Sequence, residues 1–107
     1  MLTPQEIDDI VGRVVARLRP ERVIVFGSYA KGTATRTSDL DLFVVKDTDL
    51  PMAHRGEQLA PVLATTLIPV DVHVYTPEEV TEYAKDEYSF VSSVLSTGRT
   101  AFSTETE

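Results

Sequence analysis

Apolar residues recur along this chain on two periods, and the switches between them delimit its elements. Ile7, Ile10, Val11, Val14, Val15 and Leu18 fall at helical spacing, the stripe of an amphipathic helix. Thr3, Pro4 and Glu6 ahead of it form a capping box with proline at the first helical position, and Pro20 closes it. Arg22–Phe26 (RVIVF), rich in β-branched residues and stopped by Gly27, predicts a strand. Leu40–Lys46 (LDLFVVK) predicts a second, with Leu40, Leu42 and Val44 on one side. Val70–Tyr75 (VDVHVY) predicts a third, in which Val70, Val72 and Val74 alternate with Asp71, His73 and Tyr75.

The stretch from Pro51 to Leu67 predicts a helix that is kinked or restarted at Gly56 and Pro61. Thr76, Pro77 and Glu79 repeat the capping box and start another through Val80 and Tyr83. A last amphipathic segment carries Tyr88, Val91, Val94 and Leu95 and stops at Gly98, expected as a C′ glycine. Thr100–Phe102 adds a short edge strand. The predicted fold class is α/β in the α+β sense, a small mixed β-sheet with helices mainly on one face. One domain is expected over residues 1–102, with 103–107 a disordered tail.

Composition narrows the function. A chain of 107 residues with 42% hydrophobic content holds one core and not two. The absence of cysteine excludes disulfides, thiolate nucleophiles and cysteine zinc sites, and suits a reducing compartment. No apolar run approaches the ~18 residues of a membrane span, and Met1–Asp9 lacks the basic and apolar regions of a signal peptide. A cytoplasmic location with no membrane partner is expected. Ten basic against 17 acidic residues leave a net charge of −7, which repels a polyphosphate backbone, so direct nucleic-acid binding is not expected. A small anionic ligand bridged by divalent cations remains compatible, because the metal reverses the local sign.

Phe26–Phe43 (FGSYAKGTATRTSDLDLF) carries the candidate chemistry. The first strand ends in Gly27-Ser28, and ten residues later Asp39-Leu40-Asp41 opens the next. Carboxylates at i and i+2 of a strand share a face, with Cα atoms roughly 6.5–7 Å apart, and can hold one hard cation or a pair. Gly27 permits a sharp turn and close approach of a ligand. Ser28 is expected to cap a helix over Tyr29–Lys31, whose N-terminus would suit phosphate. Asp71 joins Asp39 and Asp41 if the third strand lies in register beside the second, and is then placed to take the proton of an attacking hydroxyl. Three such carboxylates repel without cations. His73 reads as a rim residue, His54 as solvated, Lys31 and Arg36 as loop cations, and Tyr83, Tyr88 and Phe90 as core or interface.

These residues resemble the minimal nucleotidyltransferases of the DNA polymerase β-like superfamily, whose signature is G-S, ten residues, then D-x-D. The resemblance spans nearly the whole chain. It implies that fold, with two Mg2+ ions held by Asp39 and Asp41, nucleotide phosphates held by Gly27 and Ser28, and Asp71 completing the metal site near the acceptor. Lys31 stands where relatives often carry arginine, keeping the charge and losing bidentate geometry. The chain further resembles the antitoxin half of modules whose partner is a HEPN-type ribonuclease toxin. That resemblance implies transfer of AMP from ATP to a toxin tyrosine, the acceptor being presented by another molecule in a hetero-oligomer. Two alternatives stay open: a non-catalytic antitoxin that covers its partner stoichiometrically, and an adenylyltransferase acting on a small molecule.

Overall fold

The computed structural model describes residues 1–105. Helix α1 (Pro4–Leu18) starts on the expected capping box: the Glu6 N–H donates to Thr3 Oγ1 at 3.1 Å and the Thr3 N–H donates to Glu6 Oε1 at 2.9 Å. It ends at Arg19, whose left-handed backbone (φ 49°) turns the chain into strand β1 (Arg22–Phe26). A four-residue helix α2 (Ser28–Lys31) leads by an irregular loop to β2 (Leu40–Val45). Then come 3-10 turns at Met52–His54 and Glu57–Leu59, helix α3 (Ala60–Leu63), β3 (Val70–Tyr75), α4 (Pro77–Tyr83), α5 (Phe90–Thr97) and β4 (Arg99–Ser103).

The sheet order is β3-β2-β1-β4. The hairpin pair β1–β2 is antiparallel, β2–β3 is parallel, and β4 returns antiparallel to β1 with a register shift at Val23/Ile24. This is the expected mixed sheet. Period-2 alternation divides its residues between two cores. Val23, Val25, Leu40, Leu42, Val44 and Val74 face α1 and the crossover's Leu59. Ile24, Phe43 and Val45 face Val91 and Val94 of α5. Helices α1, α2 and α3 therefore cover one face, and α4 and α5 cover part of the other. Among the described residues no helix is long and apolar enough to cross a membrane.

Several local expectations are corrected. Ser28 does not cap α2: Gly27 is the N-cap and Ser28 the first helical residue, because the positive φ of Gly27 starts the helix one position early. The crossover is interrupted at both expected positions, but its first two pieces are 3-10 turns and not α-helix. It breaks at Gly56 and restarts with Pro61 in the first turn of α3, where a missing N–H costs nothing. Tyr88 lies outside α5, which Ser89 caps by accepting from the Ser92 N–H at 3.1 Å. Gly98 is extended (φ −80°, ψ 167°) rather than left-handed. An added Cβ there would meet Ile24 Cγ2 at 2.5 Å and the Val94 carbonyl at 2.6 Å, so space and not conformation demands glycine. Strand β4 runs through Ser103, and the Thr104 N–H donates to the Glu21 carbonyl at 2.9 Å. The expected disordered tail is thus ordered at its first positions, and its last two, 106–107, lie outside the described residues.

Candidate active site

The ends of three strands meet where β1 leaves the sheet and β2 enters it. Gly27 has φ 72° and ψ −151°, backbone that a side chain resists. A Cβ at Gly27 would also run into the Asp41 carboxylate, with Oδ2 its nearest neighbour. The bare backbone of the Gly27-Ser28 turn therefore presses against the carboxylate of the D-x-D pair. The Gly27 carbonyl accepts from the Ala30 and Lys31 N–H groups, both at 3.1 Å, and the Thr33 N–H closes the turn onto the Ser28 carbonyl at 3.0 Å. Helix α2 is tied to the segment ahead of α1 as well, since the Leu2 N–H donates to the Tyr29 hydroxyl at 3.0 Å.

The parallel register sets Asp41 level with Asp71, and the antiparallel register sets it level with Phe26. Asp41 is half-buried, whereas Asp39 and Asp71 are exposed. Asp39 precedes β2 by one residue and shares Asp41's face by alternation. It follows a turn closed by Ser38, whose Oγ accepts from the Thr35 N–H at 2.8 Å and whose N–H donates to the Thr35 carbonyl at 3.1 Å. Burial first, then the charges of Asp71 and Asp39, raise the Asp41 carboxyl above its ordinary value. The expected trio is thus brought to one face and one end of the sheet. Among the described residues no three acidic or histidine side chains converge at ligating distance, so the carboxylates are neighbours through charge and not through a closed cage.

The donors are hard oxygens on adjacent strands, the chemistry that magnesium and calcium select. Burial leads in raising the Asp41 carboxyl, and the charges of Asp71 and Asp39 that add to it are ones a bound cation would offset. The donor set fits hard divalent cations in kind, while among the described residues its side chains do not converge on a single point. Lys31 and Arg36 are exposed, as is His54, which pairs with Glu57 at 2.5 Å. His73 follows Asp71 by two residues on the same face and sits among aromatic rings, 5.6 Å from Phe26 and 5.3 Å from Phe90 between centroids. Phe26 and the turn-closing Ser38 were not singled out from sequence. Phe26 was legible only as a strand end, because its neighbours come from β3 and α5. Two concavities of about 580 and 350 Å3 flank the N-terminal half of α1, and neither includes Asp39, Asp41 or Asp71.

Residues 7–101 match the family model of the nucleotidyltransferase domain. The chain belongs to that family. A segment of 49 residues is 51% identical to the CCA-adding enzyme of Thermoplasma acidophilum, covering 41% of this chain and 22% of that enzyme. The match thus spans about a fifth of that relative's length. Among solved structures the chain is similar to a toxin-antitoxin crystallised with AMP-PNP (TM-score 0.55, 20% identity, 92% of this chain and 74% of that one). It is also similar to a candidate nucleotidyltransferase from Sulfolobus solfataricus (TM-score 0.55, 25% identity, 71% of this chain and 68% of that one). The fold of this member of the nucleotidyltransferase family is therefore the expected one.

Proposed function

We propose that this nucleotidyltransferase-family chain transfers AMP from ATP to a protein hydroxyl, a tyrosine of a HEPN-type ribonuclease toxin, and acts as that toxin's antitoxin. The observation that carries the reading is the packing of the Gly27 backbone on the Asp41 carboxylate, with Asp71 level across β3. A phosphate-accepting turn thereby abuts a carboxylate pair, the juxtaposition a metal–triphosphate requires. The structural likeness to a toxin-antitoxin with AMP-PNP supports a nucleotide ligand and a toxin partner.

Asp39, Asp41 and Asp71 would hold two Mg2+ ions, which when bound neutralise the triphosphate and the charge that develops on transfer. The chain's own residues do the rest. The Gly27-Ser28 backbone accommodates the outer phosphates without a side chain in the way. Asp71, exposed and level with Asp41, receives the proton of the attacking hydroxyl. The hydroxyl oxygen bonds to the α-phosphorus as the bond to the bridging oxygen breaks, and pyrophosphate departs. Positioning carries most of the rate in such a displacement.

The test is transfer of label from α-32P-ATP with magnesium in cell extract, comparing wild type with Asp39→Asn/Asp41→Asn. A protease-sensitive band labelled by wild type alone supports AMP transfer to protein. Nuclease-sensitive label or a labelled small molecule overturns the protein acceptor. No label, with toxin neutralised only at equal stoichiometry, favours a non-catalytic antitoxin.

A further inference from the structure

The site's face does not end at the carboxylates. From His73, two residues beyond Asp71, aromatic rings continue along β3 and onto α4 and α5. Phe26 and His73 both meet Phe90 (5.4 and 5.3 Å), Phe90 meets Tyr75 (6.2 Å), and Tyr75 meets Tyr83 edge-on (6.0 Å). The strip opens into a cleft of about 240 Å3 between Tyr75, Tyr83, Ser89 and Phe90. Its outer end is exposed: Phe90 is 42%, Tyr83 47% and Tyr88 89% accessible. Phe90 and Tyr83 belong to the connected strip, and Tyr88 stands exposed two residues before Phe90 in the chain; exposed aromatics of this kind mark a contact surface.

The turn that carries Tyr88 is fixed by its own bonds. The Ser92 hydroxyl donates to the Asp86 carbonyl at 2.6 Å, the Ser89 hydroxyl to the Tyr83 carbonyl at 2.8 Å, and the Tyr88 N–H to Asp86 Oδ1 at 2.9 Å. With the turn braced, contact has the rotamers of the ring to order and not its backbone. Exposed Asp86 and Glu87 precede Tyr88 in the chain, and exposed Glu78 and Glu82 lie on α4, where Glu82 pairs with Lys85 at 3.1 Å.

We infer that the α4–α5 corner is the surface on which the partner protein docks, and that it selects a basic, apolar patch around the acceptor hydroxyl. This rests on the proposed AMP transfer for its direction. With the outer phosphates at Gly27-Ser28 on β1, in-line attack brings the acceptor from the far side of β2, where β3 carries Asp71 and the aromatic strip begins. Aromatic rings ringed by acid take apolar side chains flanked by arginine or lysine. The same rim repels a phosphate backbone, which argues against an RNA occupant.

The full chain, 15N-labelled, is titrated in an NMR experiment with a hexapeptide of arginine and leucine around one tyrosine. Amide shifts confined to residues 82–92 are expected. Binding should weaken about fivefold for the glutamate-for-arginine peptide and for Glu82→Lys/Glu87→Lys. Tyr88→Ser should weaken it comparably, whereas Asp47→Lys/Asp49→Lys, with the same change in net charge, should not. Equal affinity for the two peptides, shifts mapping beside α1, or an oligouridylate shifting the same residues would overturn the inference. Because binding is read without chemistry, a mapped corner in a chain that transfers no AMP leaves the surface standing and sinks the enzymatic reading. Transfer by a chain whose corner ignores the peptide does the reverse.

Discussion

Gly27 and Gly98 both refuse a side chain, for different reasons, and the difference is measurable. At Gly27 the positive φ and the Asp41 carboxylate act together; at Gly98 the backbone is ordinary and only Ile24 and the Val94 carbonyl obstruct. Gly98→Ala should cost about 1–3 kcal/mol through overpacking and leave nucleotide binding intact. Gly27→Ala should cost a similar amount, about 1–3 kcal/mol from the strained backbone, and also abolish nucleotide binding. Thermal melting with and without ATP separates the two. Asp41 poses the opposite case, a side chain whose removal relieves the fold. Its carboxyl is raised by burial and by Asp71 and Asp39, so the folded chain holds that proton more tightly than the unfolded one. Ionisation above the unfolded value therefore costs stability, and the cost disappears below it. Asp41→Asn is expected to melt at or slightly above wild type at neutral pH, by no more than about 1 kcal/mol, with the gain shrinking in acid and AMP transfer lost. A variant melting well below wild type would make Asp41 a structural carboxylate instead.

At the scale of elements, legibility followed the range of the interaction. The capping boxes of α1 and α4 were readable because each closes within three residues, and the strand alternation because it repeats every second one. The crossover between β2 and β3 was not, since distant partners hold its short turns. Arg17 Nε donates to the Gln58 carbonyl at 3.0 Å, and Arg13 Nη1 to Thr65 Oγ1 at 3.0 Å. Arg55, nearly buried, donates to the Leu50 carbonyl at 2.9 Å and forks onto Glu79 at 2.6 and 3.2 Å. Glu79 is at once the capping-box acceptor of α4 and this ion pair's anion. Periodicity could show the first role and not the second. The hydrogen bond from Arg55 leads in lowering the Glu79 carboxyl below its usual range. Its stabilisation is therefore complete above the unfolded carboxylate value and is lost as pH falls through the folded one. Glu79→Gln keeps the capping oxygen and removes the charge. It should cost about 1–3 kcal/mol at neutral pH, and the gap from wild type should close in acid; a gap unchanged with pH would assign the loss to packing.

For the whole molecule, the motif was legible and its assembly only conditionally so. Gly27-Ser28, Asp39 and Asp41 sit together in sequence, but Asp71 joins them solely because β3 pairs parallel to β2 with Asp41 opposite Asp71. A strand slip of one residue would turn Asp71 to the other face. The same pairing brings carboxylates together in a chain already at −7, and His73 offsets only part of their effect on Asp41, whose carboxyl stays raised. The fold therefore carries a repulsion that a bound metal would relieve, and binding to the folded state alone must raise its stability. Magnesium is expected to raise the melting temperature of wild type, and ATP with magnesium to raise it further. Saturation at about a hundredfold over the dissociation constant corresponds to roughly 2.7 kcal/mol, or on the order of 10–20 °C for a domain of this size. EDTA should reverse both increments. In Asp39→Asn/Asp41→Asn the baseline should lie at or slightly above wild type while both increments vanish, because the repulsion and the ligands are removed together. If ATP alone stabilises both proteins equally, the nucleotide is held without the carboxylates, and the assignment of Asp39 and Asp41 as metal ligands fails while the fold is unaffected.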